Sequence, residues 1–358
     1  MTTKSYLRSI SIQSAHMYQL QDEKDRGTAV KNQKGFNLAD IEDILADIGA
    51  TYTVRGERSR TTFNGVADIK NASKDQLSFC SSAGAEAYSR ISETNAGVVL
   101  CKRDLEAFMT LNKRESQQVL LFVDNPRLAF IHIMKRTCNV DNRKKVGVSP
   151  SAIISESSEI CKNSYVGNFS IIGDNCYIGN NVIIHDRVNI LENTKVGENC
   201  IIQPGTVIGA DGFGFERNDA TLELERFPHI GGVIIQDGVE ISSNCSIARG
   251  CIDDTVLGHG TKLDALVHIA HNVKIGADSV ITAGVIIGGS TIIGKTCWFG
   301  LNSTLKNKIK IGSRVIVGSG ASVIHDIEDE DIVAGVPARS IKNKVTCDKL
   351  FMMAGLRR

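Results

Sequence analysis

A hydrophobic residue, almost always aliphatic, recurs at every sixth position through much of the second half of the chain. One uninterrupted run extends from Val148 to Ile208, and a second, in a shifted register, extends from Leu257 to Val323. A six-residue period fits neither a helix nor an isolated strand. It is typical of a β-helix, in which each short strand points one aliphatic side chain inward before the chain turns. Three hexads then make a triangular coil of about 18 residues.

Glycine and cysteine also keep fixed positions within this repeat. Glycine follows the aliphatic residue in pairs such as Val166-Gly167 and Ile275-Gly276, where a turn needs either positive φ or a close approach of two backbones. Four cysteines each lie two residues before an aliphatic position, and a small side chain at such an inward slot is expected to be buried filler. These cysteines are Cys176, Cys200, Cys245 and Cys297.

The segment before the repeat carries patterns of both helix and strand. Apolar residues of 37–49 fall at helical spacing, while Asn37 can cap the start of a helix and Gly49 can end it. Strand-like runs and a second helix follow. The strands are predicted at 51–54, 62–69, 97–101 and the first part of 118–135, with the helix beginning near Pro126.

These patterns predict a mainly β chain in which a small mixed α/β domain precedes a parallel β-helix. The first residues contain no sustained periodicity and many polar side chains, which is typical of a flexible segment. The predicted parts are a polar flexible extension (1–36), the α/β domain (37–143), the β-helix (144–335) and a short C-terminal segment (336–358).

Composition excludes several classes of function. The 41 basic and 40 acidic residues nearly cancel, so no overall field favours nucleic acid or anionic lipid. No apolar run approaches the roughly 18 residues of a membrane span, and residues 1–36 lack the apolar centre of a secretory signal. The 10 cysteines form no CxxC pair. We therefore expect reduced thiols, no metal and a cytoplasmic protein.

The six-residue period breaks at 209–233 and slips again at 248–256. An interruption in a solenoid is usually a loop that emerges from one edge, where binding chemistry tends to lie. The first loop begins GADGFGF, which combines Phe213 and Phe215 with three glycines and an acid. A tolerated insertion is the alternative, but this composition is unusual for a merely flexible loop.

Four motifs in this order carry a resemblance to a known family. They are GADGFGF (209–215), PHIGGVIIQDGVEI (228–241), RGCIDDTVLGHGTKLD (249–264) and IAHNVKIG (269–276). Within a hexapeptide solenoid they closely resemble the UDP-3-O-acylglucosamine N-acyltransferases of lipid A biosynthesis, in the wider hexapeptide-repeat acyltransferase superfamily. In the α/β domain, QLSF (76–79) and DNPRLAFIHI (124–133) resemble that family's nucleotide-binding domain.

The resemblance implies a left-handed parallel β-helix and a homotrimer with active sites in the grooves between neighbouring β-helices. It implies transfer of a 3-hydroxyacyl chain from acyl carrier protein to the 2-amino group of a UDP-glucosamine already acylated at O3. It implies no metal and no dissociable cofactor, because the acyl thioester is itself the donor substrate.

The chemistry of amide formation assigns three candidate catalytic residues. An ammonium nitrogen has no lone pair with which to attack a thioester, so a base is needed, and the family's base is the AHN histidine, here His271. Asp264 matches an acid near the family's active site that can hold the imidazole tautomer or contact the amine. Gly289 lies one coil after His271 and matches the family's oxyanion donor, so both spacing and resemblance place it beside the base.

Five further residues are candidate substrate contacts. Phe79 matches the aromatic residue on which the family stacks uracil, although a core phenylalanine at a strand end is nearly as good an interpretation. The other candidates are Asn272, His268, Phe213 and Phe215.

The remaining histidines are given structural roles. His268 and His271, if they lie on one extended strand, face opposite sides, which is a poor arrangement for one metal ion and leaves His268 as a groove-lining residue. Histidines elsewhere in the repeat are expected at solvated turns, and one of them lies close to the loop. These are His185, His229, His259 and His325.

Departures from the family keep other functions open. Lys308 stands where many members have a second active-site histidine, and GVPARSIKNK (335–344) resembles the ending of small hexapeptide acetyltransferases. The first alternative is a short-acyl-CoA-dependent N-acyltransferase on another nucleotide amino sugar. Zinc hydration chemistry is a second, for which His259, His268 and His271 are numerous enough but do not have the matching spacing, and a non-enzymatic scaffold is the third.

Overall fold

The computed structural model describes residues 30–56, 62–107, 118–137 and 145–342. The chain divides into two compact units, residues 1–141 and 142–358. Most of the predicted N-terminal extension and the end of the predicted C-terminal segment lie outside the described residues. None of the helices in the described part of the chain is long and apolar enough to cross a membrane.

The first unit contains one six-stranded sheet with three α-helices. Its elements are β1 (Val30–Phe36), α1 (Leu38–Asp47), β2 (Tyr52–Arg55), β3 (Phe63–Val66), β4 (Gln76–Phe79), α2 (Gly84–Glu93), β5 (Val98–Lys102), a 3₁₀ turn (Arg103–Leu105), β6 (Val119–Val123) and α3 (Pro126–Thr137). The strand order is β1-β3-β4-β5-β6-β2. The central strands β3 to β6 are parallel, and both edge strands are antiparallel to their neighbours.

The helix predicted at 37–49 is confirmed, including its ends. The Asn37 side chain accepts a hydrogen bond from the Asp40 N–H, and the Asp40 carboxylate accepts one from the Asn37 N–H. This reciprocal pair satisfies two backbone donors that the first turn leaves without helical partners. Gly49 lies at φ +64°, the left-handed conformation that lets a glycine end a helix.

Three elements of this unit differ from the sequence prediction. The segment predicted as flexible ends in strand β1, where Phe36 is buried and pairs with Phe63. Its sequence VKNQKGF has no alternating apolar positions, so the strand leaves no pattern to detect. The elements β4 and α2 were also not predicted. The sequence QLSF of β4 has only two apolar residues and no β-branched one, and α2 buries only Ala87 and Ile91.

The second unit is a parallel β-helix with three faces. The strands of the first face are Gly147–Val148, Tyr165–Val166, Ile183–Ile184, Ile201–Ile202, Glu240–Ile241, Lys262–Leu263, Val280–Ile281, Trp298–Phe299, Ile316–Val317, Ile332–Ala334 and Arg339–Ser340. The second face contains Ile153–Ile154, Ile171–Ile172, Asn189–Ile190, Val207–Ala210, Ser246–Ala248, His268–Ile269, Ile286–Ile287, Thr304–Leu305 and Ser322–Val323. The third face contains Glu159–Ile160, Tyr177–Ile178, Thr194–Val196, Val233–Ile235, Thr255–Leu257, Lys274–Ile275, Ile292–Ile293 and Lys310–Ile311.

The predicted hexapeptide repeat is confirmed by the pairing of these strands. Ile184 pairs with Ile202 in the regular coils, whereas Ile202 pairs with Ile241 across the first interruption. From Val166 onward the repeated hydrophobic residues form one buried core inside the β-helix. The first coil is the exception, since Val148 is 47% exposed there. At the other end, Arg339–Ser340 returns antiparallel to Ile332–Ala334.

The turns show which role the repeated glycines have. Left-handed backbone occurs three positions before the aliphatic residue, often at asparagines such as Asn181 and Asn199. Within the regular coils, the glycines that follow the aliphatic residue do not have positive φ, whereas Gly209, where the loop begins, lies at φ +88°. At Gly276 a Cβ would lie 2.5 Å from the Gly294 backbone of the next coil. These glycines therefore occur because two backbones approach closely, as one of the two predictions said. The other prediction, positive φ, is wrong for them.

The four cysteines of the inward slot are buried, as predicted, and their thiols also form hydrogen bonds to neighbouring coils. Each thiol donates to a backbone carbonyl of the coil that follows, for example Cys200 to Gln236 O at 3.2 Å and Cys297 to Gly312 O at 3.1 Å. Burial raises the pKa of both thiols to about 11, so they stay protonated donors. Serine and threonine hydroxyls donate to carbonyls in the same way elsewhere in the repeat, as Ser170 does to His185 O.

Replacing Gly276 by alanine tests the close approach of coils. The added methyl would meet the Gly294 backbone at 2.5 Å, and we expect a loss of about 3 kcal/mol in the free energy of unfolding. Gly320→Ala is the matched control, because Gly320 has positive φ but nothing within 4 Å of the added Cβ. That strain costs about 1 kcal/mol. Equal shifts of the two urea midpoints would contradict the explanation.

Candidate active site

The predicted loop emerges where the six-residue period first breaks. It leaves the second face after Val207–Ala210 and rejoins the third face at Val233–Ile235, and between them Phe215–Arg217 and Leu224–Arg226 form a short antiparallel hairpin. All four motifs that carried the family resemblance belong to this part of the β-helix, either in the loop or in the coils beneath it.

A buried arginine anchors the start of the loop. Arg249 is 4% exposed, and its Nε donates to Gly209 O at 2.9 Å. Its guanidinium also donates to the Glu192 carboxylate at 2.7 Å and to the Glu192 backbone carbonyl. Because a guanidinium must be fully hydrogen-bonded when buried, this set of acceptors fixes the loop's first residues. No sequence pattern predicted this role for Arg249.

The return of the loop is held by the second interruption. Ile230 N–H donates to Cys251 O at 2.8 Å, and Gly232 N–H donates to the Asp254 carboxylate at 2.7 Å. At Gly231 a Cβ would lie 2.5 Å from Asp253 O, so only glycine fits. The extra residues at 249–255 therefore form a platform on which the returning segment 228–232 of the loop packs.

His271 lies at the edge of this platform, and its neighbours determine its tautomer. The Asn272 Oδ1 accepts from the Cys251 N–H at 3.0 Å, and the Asn272 Nδ2 donates to Asp253 O at 3.2 Å. These two bonds fix the orientation of the amide, so the Oδ1 faces the His271 Nδ1 at 3.0 Å. An amide oxygen can only accept. The His271 Nδ1 therefore carries the proton, and its Nε2 has a free lone pair.

His229 and Cys251 complete the surroundings of this imidazole. The His229 Nδ1 lies 2.9 Å from Phe227 O, which can only accept, so the His229 Nε2 is unprotonated in the neutral ring. The Cys251 Sγ lies 3.2 Å from that Nε2 and 3.3 Å from the His271 Nδ1. Burial raises the pKa of the Cys251 thiol, which favours an S–H that donates to His229.

This position of His229 corrects the sequence prediction. His229 was expected at a solvated turn, but it is 6% exposed and its ring meets that of His271 edge to face, with 5.4 Å between centroids. The cause is the loop, which folds back over the β-helix and covers both rings. A Cβ at Gly212 would lie 2.7 Å from the His229 Nε2 and 2.9 Å from the His271 Cβ. The glycine of GADGFGF therefore lets the loop backbone pack on the two imidazoles.

Gly289 stacks on His271, as its spacing of one coil predicts. A Cβ at Gly289 would lie 2.7 Å from the His271 Nε2 and 2.8 Å from its Cε1. The neighbouring Ser290 N–H donates to His271 O at 2.8 Å, which holds the two coils in register. Within the described residues, the Gly289 N–H donates to no acceptor and the His271 Nε2 has no hydrogen-bond partner.

A pocket of about 360 Å³ opens at this point of the β-helix. Its lining residues include Phe213, Ser246, His268, His271, Gly289 and Asn307. His268 and His271 thus line the same pocket, which corrects the prediction that they face opposite sides. Only His268–Ile269 is strand, and His271 lies beyond the strand end, where the chain turns at Asn272. Burial lowers the pKa of His268, so its neutral form is favoured.

The other candidates lie in different surroundings. Asp264 is exposed, its carboxylate accepts from the Ala265 N–H at 2.8 Å, and it makes no hydrogen bond with His271. Phe213 is 89% exposed beside the pocket and contacts Phe215, on which the Arg226 guanidinium stacks at 4.7 Å. In the first unit, Phe79 is half-buried and packs on Phe130 with ring centroids 4.7 Å apart. Each of these substrate roles stays a prediction.

Comparison with known proteins matches both units of the chain. Residues 61–136 match the family described as UDP-3-O-(3-hydroxymyristoyl) glucosamine N-acyltransferase, LpxD. Residues 175–210 and 254–289 match the bacterial transferase hexapeptide family, and residues 290–324 match the hexapeptide repeat of succinyl-transferase. The β-helix is also similar in fold to the UDP-N-acetylglucosamine acyltransferase of Francisella novicida, with a TM-score of 0.50 and 23% identity over 55% of this chain and 71% of that one.

Two relatives cover most of the sequence. The UDP-3-O-acylglucosamine N-acyltransferase of Bordetella pertussis is 33% identical over 294 residues, which are 76% of this chain and 80% of the relative. The protein of the same name from Bordetella parapertussis is 37% identical over the same shares. The chain therefore belongs to the family of UDP-3-O-acylglucosamine N-acyltransferases and is an acyltransferase.

Proposed function

We propose that this chain transfers a (3-hydroxy)acyl group from acyl carrier protein to the 2-amino group of a UDP-3-O-acyl-glucosamine. The names of the Bordetella relatives support the acceptor. The observation that carries the mechanism is the pair of free groups at the pocket wall. These are the His271 Nε2, whose lone pair has no partner in the described part of the chain, and the Gly289 N–H stacked beside it.

His271 is the proposed general base. The amine nitrogen attacks the thioester carbonyl carbon, and the His271 Nε2 accepts the proton that the nitrogen loses as the C–N bond forms. The carbonyl electrons move onto oxygen, and the resulting tetrahedral oxyanion accepts a hydrogen bond from the Gly289 N–H. When the oxyanion collapses, the C–S bond breaks, and the imidazolium returns its proton to the departing thiolate. The step needs no cofactor.

Asn272 is a positioning residue in this scheme, although the sequence suggested that it contacts substrate. Its amide bonds Cys251 and Asp253, and its Oδ1 fixes the proton on the His271 Nδ1. Asp264, by contrast, has no bond to His271 within the chain. Contact with the substrate amine is the role that remains for it in the proposal.

Phe213 and His268 are proposed to contact the substrates. Phe213 presents an apolar ring at the pocket mouth, which suits an acyl chain, while neutral His268 can accept a hydrogen bond from a sugar hydroxyl. In the first unit, Phe79 is our candidate for stacking on uracil. Its half-exposed ring supports this role, and its packing on Phe130 fixes the ring plane.

A short-acyl-CoA donor and a different nucleotide amino sugar form the second candidate function. The sequence GVPAR (335–339) favours it, because it resembles the ending of small hexapeptide acetyltransferases. The same base and oxyanion donor would serve that reaction. Donor identity is therefore decided by assay and not by the catalytic residues.

The deciding assay compares donors and tests the base together. Purified protein is incubated with UDP-3-O-acyl-glucosamine and UDP-glucosamine derivatives, each with a panel of acyl carrier protein and acyl-CoA thioesters, and amide formation is read by mass spectrometry. We expect transfer from acyl carrier protein, and a fall of about 10²–10⁴-fold in His271→Gln, because glutamine cannot accept the proton.

His268→Gln is the control for this assay, since it removes the neighbouring imidazole of the same pocket but leaves the base. It should raise KM more than it lowers kcat. Wild-type protein that transfers no acyl group, or a His271→Gln variant that transfers at the wild-type rate, would refute the mechanism.

Substitution of Asn272 tests the proposed tautomer. Asn272→Leu removes the acceptor that holds the proton on the His271 Nδ1, and we expect kcat to fall by about 10²-fold. Asn272→Asp keeps an acceptor oxygen, and aspartate tolerates the left-handed backbone, as Asp278 shows one hexad later at φ 57°. This variant should therefore recover part of the rate that Asn272→Leu loses, but not all of it, because a carboxylate stabilises the imidazolium and slows the return of its proton. Equal losses in both variants would indicate a structural role only.

We also propose a homotrimer, supported by exposed aliphatic residues on the surface of the β-helix. Leu266, Ile286 and Ile292 are 64%, 47% and 48% exposed, and Ile286 pairs in register with His268. Such side chains gain about 25 cal/mol per Å² when another copy covers them. Sedimentation equilibrium should give three times the chain mass of 38.8 kDa, and Ile286→Asp should shift the mass towards one chain. A monomeric wild-type protein would contradict this proposal.

A further inference from the structure

Three potential metal ligands meet on the far side of the catalytic imidazole. The His229 Nε2, the Cys251 Sγ and the His271 Nδ1 all lie within 4.8 Å of one another. The sulfur is 3.2 Å from the His229 nitrogen and 3.3 Å from the His271 nitrogen. None of the candidate functions requires Cys251 or His229 to be close to the base.

These distances suit a tetrahedral zinc ion. With Zn–S near 2.3 Å and Zn–N near 2.0–2.1 Å, ligand atoms of one ion lie about 3.3–3.6 Å apart. Both sulfur–nitrogen distances are within a few tenths of an ångström of that range. Two imidazoles and a thiolate are also donors that bind zinc well, whereas magnesium and calcium prefer oxygen ligands.

The surroundings already orient two of the three ligand atoms. Phe227 O accepts from the His229 Nδ1, which directs the unprotonated Nε2 towards Cys251 and is the usual outer partner of a metal-binding histidine. The Cys251 N–H is held by the Asn272 Oδ1, which fixes the backbone that carries the thiol. Gly212 places no side chain between the rings.

We propose that His229, Cys251 and His271 form an inhibitory binding site for Zn²⁺ or a similar thiophilic cation. On binding, the Cys251 thiol loses its proton to solvent as the Zn–S bond forms. The His271 Nδ1 gives its lone pair to the metal, so the proton that it carried moves to Nε2. The Nε2 then has no lone pair, and the ring cannot accept a proton from the substrate amine.

Binding of the ion does not depend on the proposed function, whereas inhibition rests on His271 being the base. The two are therefore measured separately. Binding is followed by spectroscopy without any substrate, and inhibition is followed by the rate of amide formation. If the protein binds the ion but transfers no acyl group, the proposed metal site stands and the proposed function is refuted.

Cobalt(II) is the spectroscopic probe for binding. Metal-free full-length protein is titrated with Co²⁺, and we expect one equivalent per chain to produce a thiolate-to-cobalt charge-transfer band in the near ultraviolet and the intense visible bands of a tetrahedral ion. Zn²⁺ should then displace the cobalt and bleach both sets of bands. Cys251→Ala and His229→Gln should each weaken cobalt binding at least tenfold.

Cys161→Ala is the matched control. Cys161 is a half-exposed thiol of the same β-helix, with Tyr177 as its hydrogen-bond partner and no histidine bonded to it. Its removal should leave the cobalt bands unchanged. A wild-type protein without a charge-transfer band, or bands that persist at full strength in Cys251→Ala, would overturn the proposed site.

Inhibition is tested by the ratio of rates with and without one equivalent of Zn²⁺. We expect the wild-type rate to fall at least tenfold and to recover when a chelator removes the ion. In Cys251→Ala, whatever rate remains should be insensitive to the same zinc concentration. Equal sensitivity of the two proteins would show that zinc acts elsewhere and would refute the inhibitory role.

Discussion

Parallel backbone hydrogen bonds between successive coils hold the β-helix together, and the position of every site residue depends on them. Tyr165 pairs with Ile183, and Ile183 pairs with Ile201, so each residue lies against the one a full coil before it. Where the backbones come closest, no Cβ fits, as at Gly276. The same stacking presses Gly289 against His271 and leaves the Nε2 beside a free backbone N–H.

A regular solenoid has walls but no deep pocket, so the site requires a departure from the repeat. Two interruptions supply it, and neither is an independent loop. Arg249 of the second ties down the start of the first, and Asp254 holds its return. The buried guanidinium makes this arrangement specific, because its donors are satisfied by Glu192 of an earlier coil and by the Gly209 carbonyl, which the loop path places there. The proposed base, His271, is thereby covered without a separate domain.

The sequence predicts the parts of this molecule that follow the repeat and misses those that do not. The hydrophobic period of six residues predicted the β-helix, and the coil length of 18 residues predicted the contact between His271 and Gly289. The same coil length does not predict the contacts of His229 and Cys251 with His271, because both interruptions insert residues that break the 18-residue spacing. Resemblance identified their motifs but not their contacts. In the first unit, the capped helix was predictable, whereas β1 was not, since an edge strand with few apolar residues has no period to detect.

The two nitrogens of His271 have separate roles that their neighbours impose. A neutral imidazole has one proton to place, and the Asn272 oxygen is a better acceptor for it than the Cys251 sulfur, so Nε2 is left basic. A carboxylate in place of that amide would stabilise the imidazolium strongly and slow the return of its proton. A neutral partner stabilises it less. The resulting acid is better able to protonate the departing thiolate, which suits the role proposed for His271, a base that gives its proton back within the same reaction.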